Sequence, residues 1–254
     1  MFNSSGVAPP FWHNGPAPGT FYNFPNTTSG PSDFSQRSQA PVTTATSVVA
    51  ITYANGVIIS GDTLGSYGSL ARFRNCPRVI KVNDNIILGA GGDYGDFQYV
   101  KDFIEQKIIN EECMDDDLKL KPNSLYCWLT RIMYNRRSKF DPFWNNFVVG
   151  GIQDGQPFLG TVDKLGTAYT DKVICTGYGA HIAVPLLRDA VDKNPQLSKD
   201  EARALVEKCM EVLFYRDARS YPKYQMAIID KTDGITIEDS LTVKQDWSVA
   251  HMIN

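Results

Sequence analysis

The sequence has few histidines, few cysteines and no long apolar run, and each shortage narrows what the chain can do. Its three histidines, His13, His181 and His251, have no metal-like spacing, so we expect neither a metal nor another cofactor. The five cysteines are odd in number, widely scattered and free of any Cys-x-x-Cys pair. This pattern is typical of reduced thiols rather than of a disulfide or zinc framework.

Neither a membrane nor a nucleic acid is an expected partner. No segment approaches the roughly 18 consecutive apolar residues of a membrane-spanning helix, and the N-terminus lacks the basic and apolar pattern of a secretion signal. The net charge of -3 provides no basic surface for a nucleic acid. We therefore expect protein partners and a location in the cytoplasm or the nucleus.

The chain divides by composition into a short first segment and one domain. Residues 1–37 are rich in Pro, Gly, Ser and Asn without a periodic apolar face, so they cannot form a core of their own. We predict that residues 1–37 form a disordered pro-segment and that residues 38–254 form a single domain. The aromatic residues of the first segment, such as Trp12 and Tyr22, leave two readings equally open: docking on a neighbouring protein and an inert tail.

Short β-branched runs separated by turn residues predict four β-hairpins. The runs SVVAITY and VIISGD flank Asn55-Gly56, a strong hairpin signal, and RVIKV and IILGA flank residues 83–85. Two further pairs of runs surround Asp154-Gly155 and Asp233-Gly234. The domain should therefore consist largely of antiparallel sheet.

Three segments have apolar residues at helical spacing. One extends from Phe97 to Ile108 and the second from Leu125 to Met133. The third begins with a capping box, Ser198 and Glu201, and should end near Asp217. The order of elements predicts an α+β fold in which antiparallel sheets pack together and are covered by helices.

Two long segments resemble proteasome beta subunits: TSVVAITYANGVIISGDTLGSYGSLARFR and EVLFYRDARSYPKYQMAIID. The resemblance covers nearly the whole chain after Ser38. It points most closely to the class at the seventh position of the eukaryotic beta ring, through CWLTR, NRRSK, TGYGA, YRDARSY and AHMI. Family membership implies a four-layer αββα sandwich of the N-terminal nucleophile hydrolase type.

The resemblance also implies where the catalytic threonine of the family would lie. Active members use the hydroxyl of an N-terminal threonine as nucleophile and its free α-amine as base. By ungapped spacing from Gly56 and Asp62 this position falls on Thr46. Active members release the threonine by self-cleavage after a glycine, whereas Ala45 precedes Thr46 here. While Thr46 stays in a peptide bond, its nitrogen is an amide without usable basicity.

Other family positions are altered or retained. The family lysine falls on Arg78, whose guanidinium stays protonated and is wider than an ammonium group, although it can pair with Asp62, including bidentately. The family serine that orients the amine falls on Tyr178, whose ring would fill space that active members leave open. Three residues that match the family pattern are retained: Gly92, Asp217 and Ser220.

These departures imply a non-catalytic structural beta subunit of the 20S core particle that contributes to ring assembly and to ATP- and ubiquitin-dependent protein degradation. The alternatives are an active threonine endopeptidase exposed at Thr46 and a free-standing binding module of the same fold. The implied partners are other beta subunits in the same and the opposite ring and an alpha-ring subunit.

Two features near the ends of the chain also follow from the resemblance. It places a processing junction at Arg37–Ser38, which we expect a neighbouring active subunit to cut. In the matching class a C-terminal extension reaches the opposite ring. The present sequence ends soon after AHMI, so we expect a shorter extension than that pattern has.

Overall fold

A computed structural model describes residues 40–114 and 119–248 of the chain. The predicted pro-segment, the junction Arg37–Ser38 and the residues after Ser248 lie outside the described residues, so the predicted domain boundary stays a prediction. No helix within the two described ranges is long and apolar enough to cross a membrane.

The described residues form thirteen strands and four helices. The strands are β1 Thr43–Ala45, β2 Val48–Tyr53, β3 Gly56–Asp62, β4 Gly65–Tyr67, β5 Leu70–Phe73, β6 Val79–Asn83, β7 Ile86–Asp93, β8 Asn145–Gln153, β9 Gln156–Val162, β10 Ala168–Thr170, β11 Val173–Cys175, β12 Lys223–Asp230 and β13 Gly234–Thr242. The helices are α1 Tyr94–Glu112, α2 Pro122–Ser138, α3 Gly179–Lys193 and α4 Lys199–Arg216.

The strands form two antiparallel sheets. The first has the order β10-β9-β8-β7-β1-β4-β5, with β6 also paired to β7, and the second has the order β11-β2-β3-β12-β13. All four predicted hairpins are confirmed as β2–β3, β6–β7, β8–β9 and β12–β13. The turn residues of the sequence therefore identify these four pairs of consecutive strands.

Three apolar clusters show that the fold has four layers. Between the two sheets lies a cluster that includes Val48, Ile59, Ile87 and Ala227. Helices α1 and α2 cover the other face of the first sheet, and α3 and α4 cover the other face of the second. Alternate residues of β2 enter different clusters, because successive side chains of a strand point to opposite faces. The predicted α+β four-layer αββα sandwich is confirmed.

The helices agree with the sequence prediction except for α3. The hydroxyl of Ser198 accepts a hydrogen bond from the backbone of Glu201, whose side chain accepts one from the backbone of Ser198, so α4 begins with the predicted capping box. The helix ends at Arg216, and Asp217 is its C-cap. Helix α3 was not predicted, and it contains Pro185, which removes a backbone donor and weakens a helical pattern. Strands β1, β4, β5, β10 and β11 were also not predicted as separate elements, since three or four residues carry little periodicity.

Candidate functional site

The fold brings Thr46 and Asp217 together although they lie 171 positions apart in the chain. Thr46 lies between β1 and β2, and its hydroxyl donates a hydrogen bond to Oδ2 of Asp217. Asp217 is the C-cap residue of α4, and its Oδ1 accepts the backbone N–H of Arg219 at 2.9 Å. Both carboxylate oxygens of this buried residue are therefore engaged.

The predicted pair of Asp62 and Arg78 forms deep in the protein. Nη2 of Arg78 lies 2.5 Å from Oδ1 of Asp62, and both side chains are only 1% exposed. The sequence allowed a bidentate pair, but in the structure the guanidinium of Arg78 contacts only one carboxylate oxygen of Asp62. Oδ2 of Asp62 instead accepts the backbone N–H of Tyr221 at 3.0 Å, so the other carboxylate oxygen is taken by the main chain.

The remaining donors of Arg78 bind backbone carbonyl oxygens. Nε donates to the carbonyl of Asp62 at 2.7 Å, and Nη1 donates to those of Thr46 at 2.8 Å and Ala90 at 3.0 Å. Nη2 also donates to the carbonyl of Ser47 at 2.5 Å. A guanidinium has five N–H donors, and here all five are used. Because Ala90 belongs to the first sheet and Asp62 to the second, this side chain joins the two sheets at the site.

Burial is the largest influence on the pKa of Asp62. It raises the pKa of the carboxyl group to about 6, against the opposing effects of the Arg78 guanidinium and the Tyr221 N–H, while the nearby Asp217 adds to the rise. Removing a carboxylate from water disfavours its charged form, and a single cation does not fully offset that cost. The pair is thus a buried structural contact with a net desolvation penalty.

Gly92 lies opposite the segment that precedes Thr46. It pairs with Ala45 of β1 and with Asn145 of β8, and its φ of +95° lies in a region that other residues rarely adopt. A Cβ atom at this position would lie 1.9 Å from the carbonyl oxygen of Trp144. The retained glycine is therefore explained by the backbone alone.

The other two predicted positions flank the site without entering it. Tyr178 borders a cavity of about 250 Å³ that Thr46 and Asp217 also line. Tyr178 is 63% exposed, so it borders this open space. The sequence suggested instead that its ring would fill the space. Ser220 donates its backbone N–H to the carbonyl of Asp217 at 3.1 Å. Within the described residues its hydroxyl makes no hydrogen bond that would connect it to Thr46.

Comparison with known proteins identifies the family. A family model described as proteasome subunit matches residues 42–229, which include every site residue described above. The chain belongs to the proteasome subunit family. Members of this family build the 20S core particle, so the chain assembles with other proteasome subunits.

Beta-type proteasome subunits of several eukaryotes are similar over most of the chain. Proteasome subunit beta type-4 of Xenopus laevis is 49% identical over 240 residues, which cover 94% of this chain and 97% of the relative. The corresponding subunit of Drosophila melanogaster is 43% identical over 264 residues, with 99% and 98% covered. Proteasome subunit beta type-7 of Saccharomyces cerevisiae is 40% identical over 252 residues, with 95% and 94% covered. The resemblance to proteasome beta subunits is confirmed.

In this proteasome subunit three further residues support the site, and none was predicted from the sequence. The hydroxyl of Ser47 accepts the N–H of Gly179 at 2.9 Å and so positions the start of α3. The side chain of Gln225 accepts the N–H of Arg78 at 2.9 Å. Asp93 binds the segment before Thr46 through its carboxylate. These contacts depend on folding and have no local sequence signal.

Within residues 40–114 and 119–248, no group of three or more His, Cys, Asp or Glu side chains is placed to hold a metal ion. Cys175 of β11 and Cys209 of α4 lie buried in the cluster between the second sheet and its helices, and burial raises the pKa of each thiol to about 12. Thiols with such values remain protonated and unreactive at neutral pH.

Proposed function

We propose that this proteasome subunit is a non-catalytic, structural beta subunit of the 20S core particle. It contributes to ring assembly, and through the particle to ATP- and ubiquitin-dependent protein degradation. The proposed contacts are with neighbouring beta subunits, an alpha-ring subunit and the opposite beta ring. The proposed location is the cytoplasm and the nucleus.

The observation that carries this proposal is the complete use of the Arg78 guanidinium. Threonine peptidase chemistry needs a group near the hydroxyl that can take up and release a proton. Arg78 occupies the family lysine position, and its five donors bind Asp62 and four carbonyl oxygens. A buried guanidinium stays charged, so Arg78 holds the backbone in place but cannot exchange a proton beside the hydroxyl as a lysine ammonium can.

The peptide bond before Thr46 supports the same proposal. Ala45 is the last residue of β1, which is paired on both sides, and Thr46 continues directly into the second sheet. As long as this bond is intact, the nitrogen of Thr46 is an amide and cannot act as the base. We propose that the mature chain begins at Ser38, after a neighbouring active subunit has cut the junction Arg37–Ser38.

Covalent labelling tests the proposal against an active peptidase exposed at Thr46. Assembled particles would be treated with an electrophilic probe for N-terminal threonine, and labelling of this subunit would be compared between wild type, Thr46→Ala and the control Thr44→Ala. We expect no labelling of this subunit in any of the three. Labelling that disappears in Thr46→Ala alone would establish the active alternative and overturn the proposal.

Intact-mass measurement of the same subunit tests its processing. The expected mass corresponds to a chain that retains the residues before Thr46. A chain that begins at Thr46 would contradict both the proposed processing and the proposed loss of activity. Size-exclusion chromatography of the native protein tests the alternative of a free-standing binding module, because such a module would elute apart from the large particle.

A further inference from the structure

Strand β1 is short, yet it lies inside a sheet. On one side Thr43 and Thr44 pair with Tyr67 and Ser66 of β4, and on the other side Thr44 and Ala45 pair with Asp93 and Gly92 of β7. The strand has three residues, fewer than the five or six of a typical strand. So few ladder bonds require another contact to hold the segment in place.

The side chain of Asp93 provides that contact. Its Oδ1 accepts the backbone N–H of Val42 at 3.1 Å and that of Thr43 at 3.3 Å. Its Oδ2 accepts the N–H of Asp96 at 3.1 Å and so caps the first turn of α1. A carboxylate is a stronger acceptor than a neutral group, and the positive end of the helix favours its charge. One side chain thus connects the segment before Thr46 to the start of a helix.

The position of β1 in the sheet determines which strand edges are covered when Asp93 holds this segment in place. Strand β1 is the strand that joins the β4–β5 hairpin to β7 in the first sheet. Without β1, the facing edges of β4 and β7 would present unpaired backbone groups, and such edges readily accept an extended chain. The cavity beside Thr46 opens at this place and is bordered by Thr44 and Ala45.

From these contacts we infer that Asp93 is a positioning residue that fastens residues 42–45 between β4 and β7. Residues 42–45 thereby occupy the gap between these two strands, where an extended chain could otherwise pair with the backbone. This inference rests on the proposed function, because it requires that residues 42–45 remain attached to Thr46 in the mature subunit.

Hydrogen–deuterium exchange of assembled particles tests the role of Asp93. The variant Asp93→Ser keeps an oxygen that can cap α1, but its short side chain cannot also reach Val42 and Thr43. We expect amide exchange in the peptide covering residues 42–45 to become at least about tenfold faster, with little change in α1. The control Ser198→Ala removes the cap of α4 and should leave residues 42–45 at the wild-type rate.

A second variant removes one of the backbone N–H donors and leaves the accepting carboxylate of Asp93 unchanged. Val42 is 53% exposed, and Val42→Pro deletes its N–H while leaving Asp93 and its helix cap intact. It should give a smaller acceleration at residues 43–45. Wild-type exchange rates at residues 42–45 in both variants would overturn the inference, as would an equal acceleration in Ser198→Ala. A mature chain beginning at Thr46 would instead overturn the proposed function, so intact mass distinguishes the two failures.

Discussion

The hydroxyl of Thr46 donates its hydrogen bond to Asp217, and this bond ties the junction of β1 and β2 to the end of α4. Thr46, which the family resemblance predicts at the position of the nucleophile, is thus held in place through its side chain. Its surroundings have a structural role, since Arg78 binds the carbonyl of the same residue. Under the proposed function, activity is lost because the nitrogen of Thr46 stays in its peptide bond with Ala45 and because Arg78 cannot exchange a proton, even though the hydroxyl is retained.

Removing the Thr46 hydroxyl should affect stability and leave proteolysis intact. In Thr46→Ala, the carboxylate of Asp217, 7% exposed, loses a donor, which should lower the free energy of unfolding of the subunit by about 1–2 kcal/mol. Thr46→Ser should restore most of this loss because it keeps the hydroxyl. Peptidase activity of assembled particles should be unchanged in both variants. A large loss of activity in particles that assemble normally would refute the structural role.

Replacing Arg78 by lysine should destabilise the site although the charge is kept. Lysine has three donors on one atom, so several of the carbonyl oxygens of Thr46, Ser47 and Ala90 would lose their partners in the interior. We expect Arg78→Lys to lower the free energy of unfolding by about 2–3 kcal/mol, as measured by denaturant unfolding of the full chain.

A matched surface pair gives the control for Arg78. Arg203 is partly exposed and pairs bidentately with Glu238 at 2.6 Å. Arg203→Lys should cost less than about 1 kcal/mol, because exposed ion pairs contribute little. An equal loss of unfolding free energy in Arg78→Lys and Arg203→Lys would mean that the buried carbonyl contacts of Arg78 add no stability beyond that of an exposed ion pair.

Burial of Asp62 should make the stability of the subunit depend on pH. Its pKa of about 6 lies above the ordinary value near 4, so the folded state binds the proton more tightly than the unfolded state. The contribution of this group to stability is therefore fully present below about pH 4 and is lost as pH rises through 6. The charged groups that act on Asp62 are Arg78 and Asp217.

The variant Asp62→Asn cannot ionise and should remove this pH dependence. Unfolding free energies of the full chain between pH 5 and 7 would be compared with those of wild type, and the slope rather than the absolute value is the readout. The control Asp84→Asn alters an exposed carboxylate beside Lys81 and should leave the slope nearly unchanged in this window. An unaltered slope in Asp62→Asn would contradict the assigned pKa.

The sequence was sufficient for the elements that have local signals. Hairpins with Asn-Gly or Asp-Gly turns and the capping box at Ser198 were predicted, because turn and cap chemistry involves neighbouring residues. The pairing of Arg78 with Asp62 was also predicted, from the spacing of the two residues in the family pattern, and the structure contains this pair.

The contacts missed from the sequence join distant segments. Strand β1 has only three residues and is defined by its partners β4 and β7, so its own sequence gives no period to detect. The carbonyl oxygens that Arg78 binds belong to the backbone, and no residue type indicates them. The exposure of Tyr178 likewise depends on how α3 begins, and that helix was itself missed.

Two glycines with positive φ allow the stability cost of backbone strain to be distinguished from the cost of a steric clash. Gly92 and Gly68 have φ values of +95° and +58°, so an added side chain is strained at both. At Gly68 no atom lies within 4 Å of the added Cβ, whereas at Gly92 the carbonyl oxygen of Trp144 lies at 1.9 Å. Gly68→Ala should cost about 1 kcal/mol and Gly92→Ala roughly 3 kcal/mol or more in unfolding free energy. Similar costs would show that the chain beside Trp144 moves readily.

The packing of α4 on the second sheet should control whether the subunit folds and enters the particle. Leu213 is 2% exposed and belongs to the cluster beneath α3 and α4, against which Leu205 also packs. Leu213→Ala should lower the unfolding free energy by about 2–5 kcal/mol, because it removes buried apolar atoms and leaves a cavity. Less of the variant should then be incorporated into particles, as judged by the amount that elutes with the complex.

Leu186 on α3 provides the control for this change. It is 40% exposed, so Leu186→Ala removes the same atoms from a site that water already reaches. Its unfolding free energy should fall by less than about 1 kcal/mol. If incorporation decreased in Leu186→Ala while the chain remained stable, the exposed face of α3 would be a subunit contact. If Leu213→Ala left both stability and incorporation unchanged, the packing of α4 would not limit assembly.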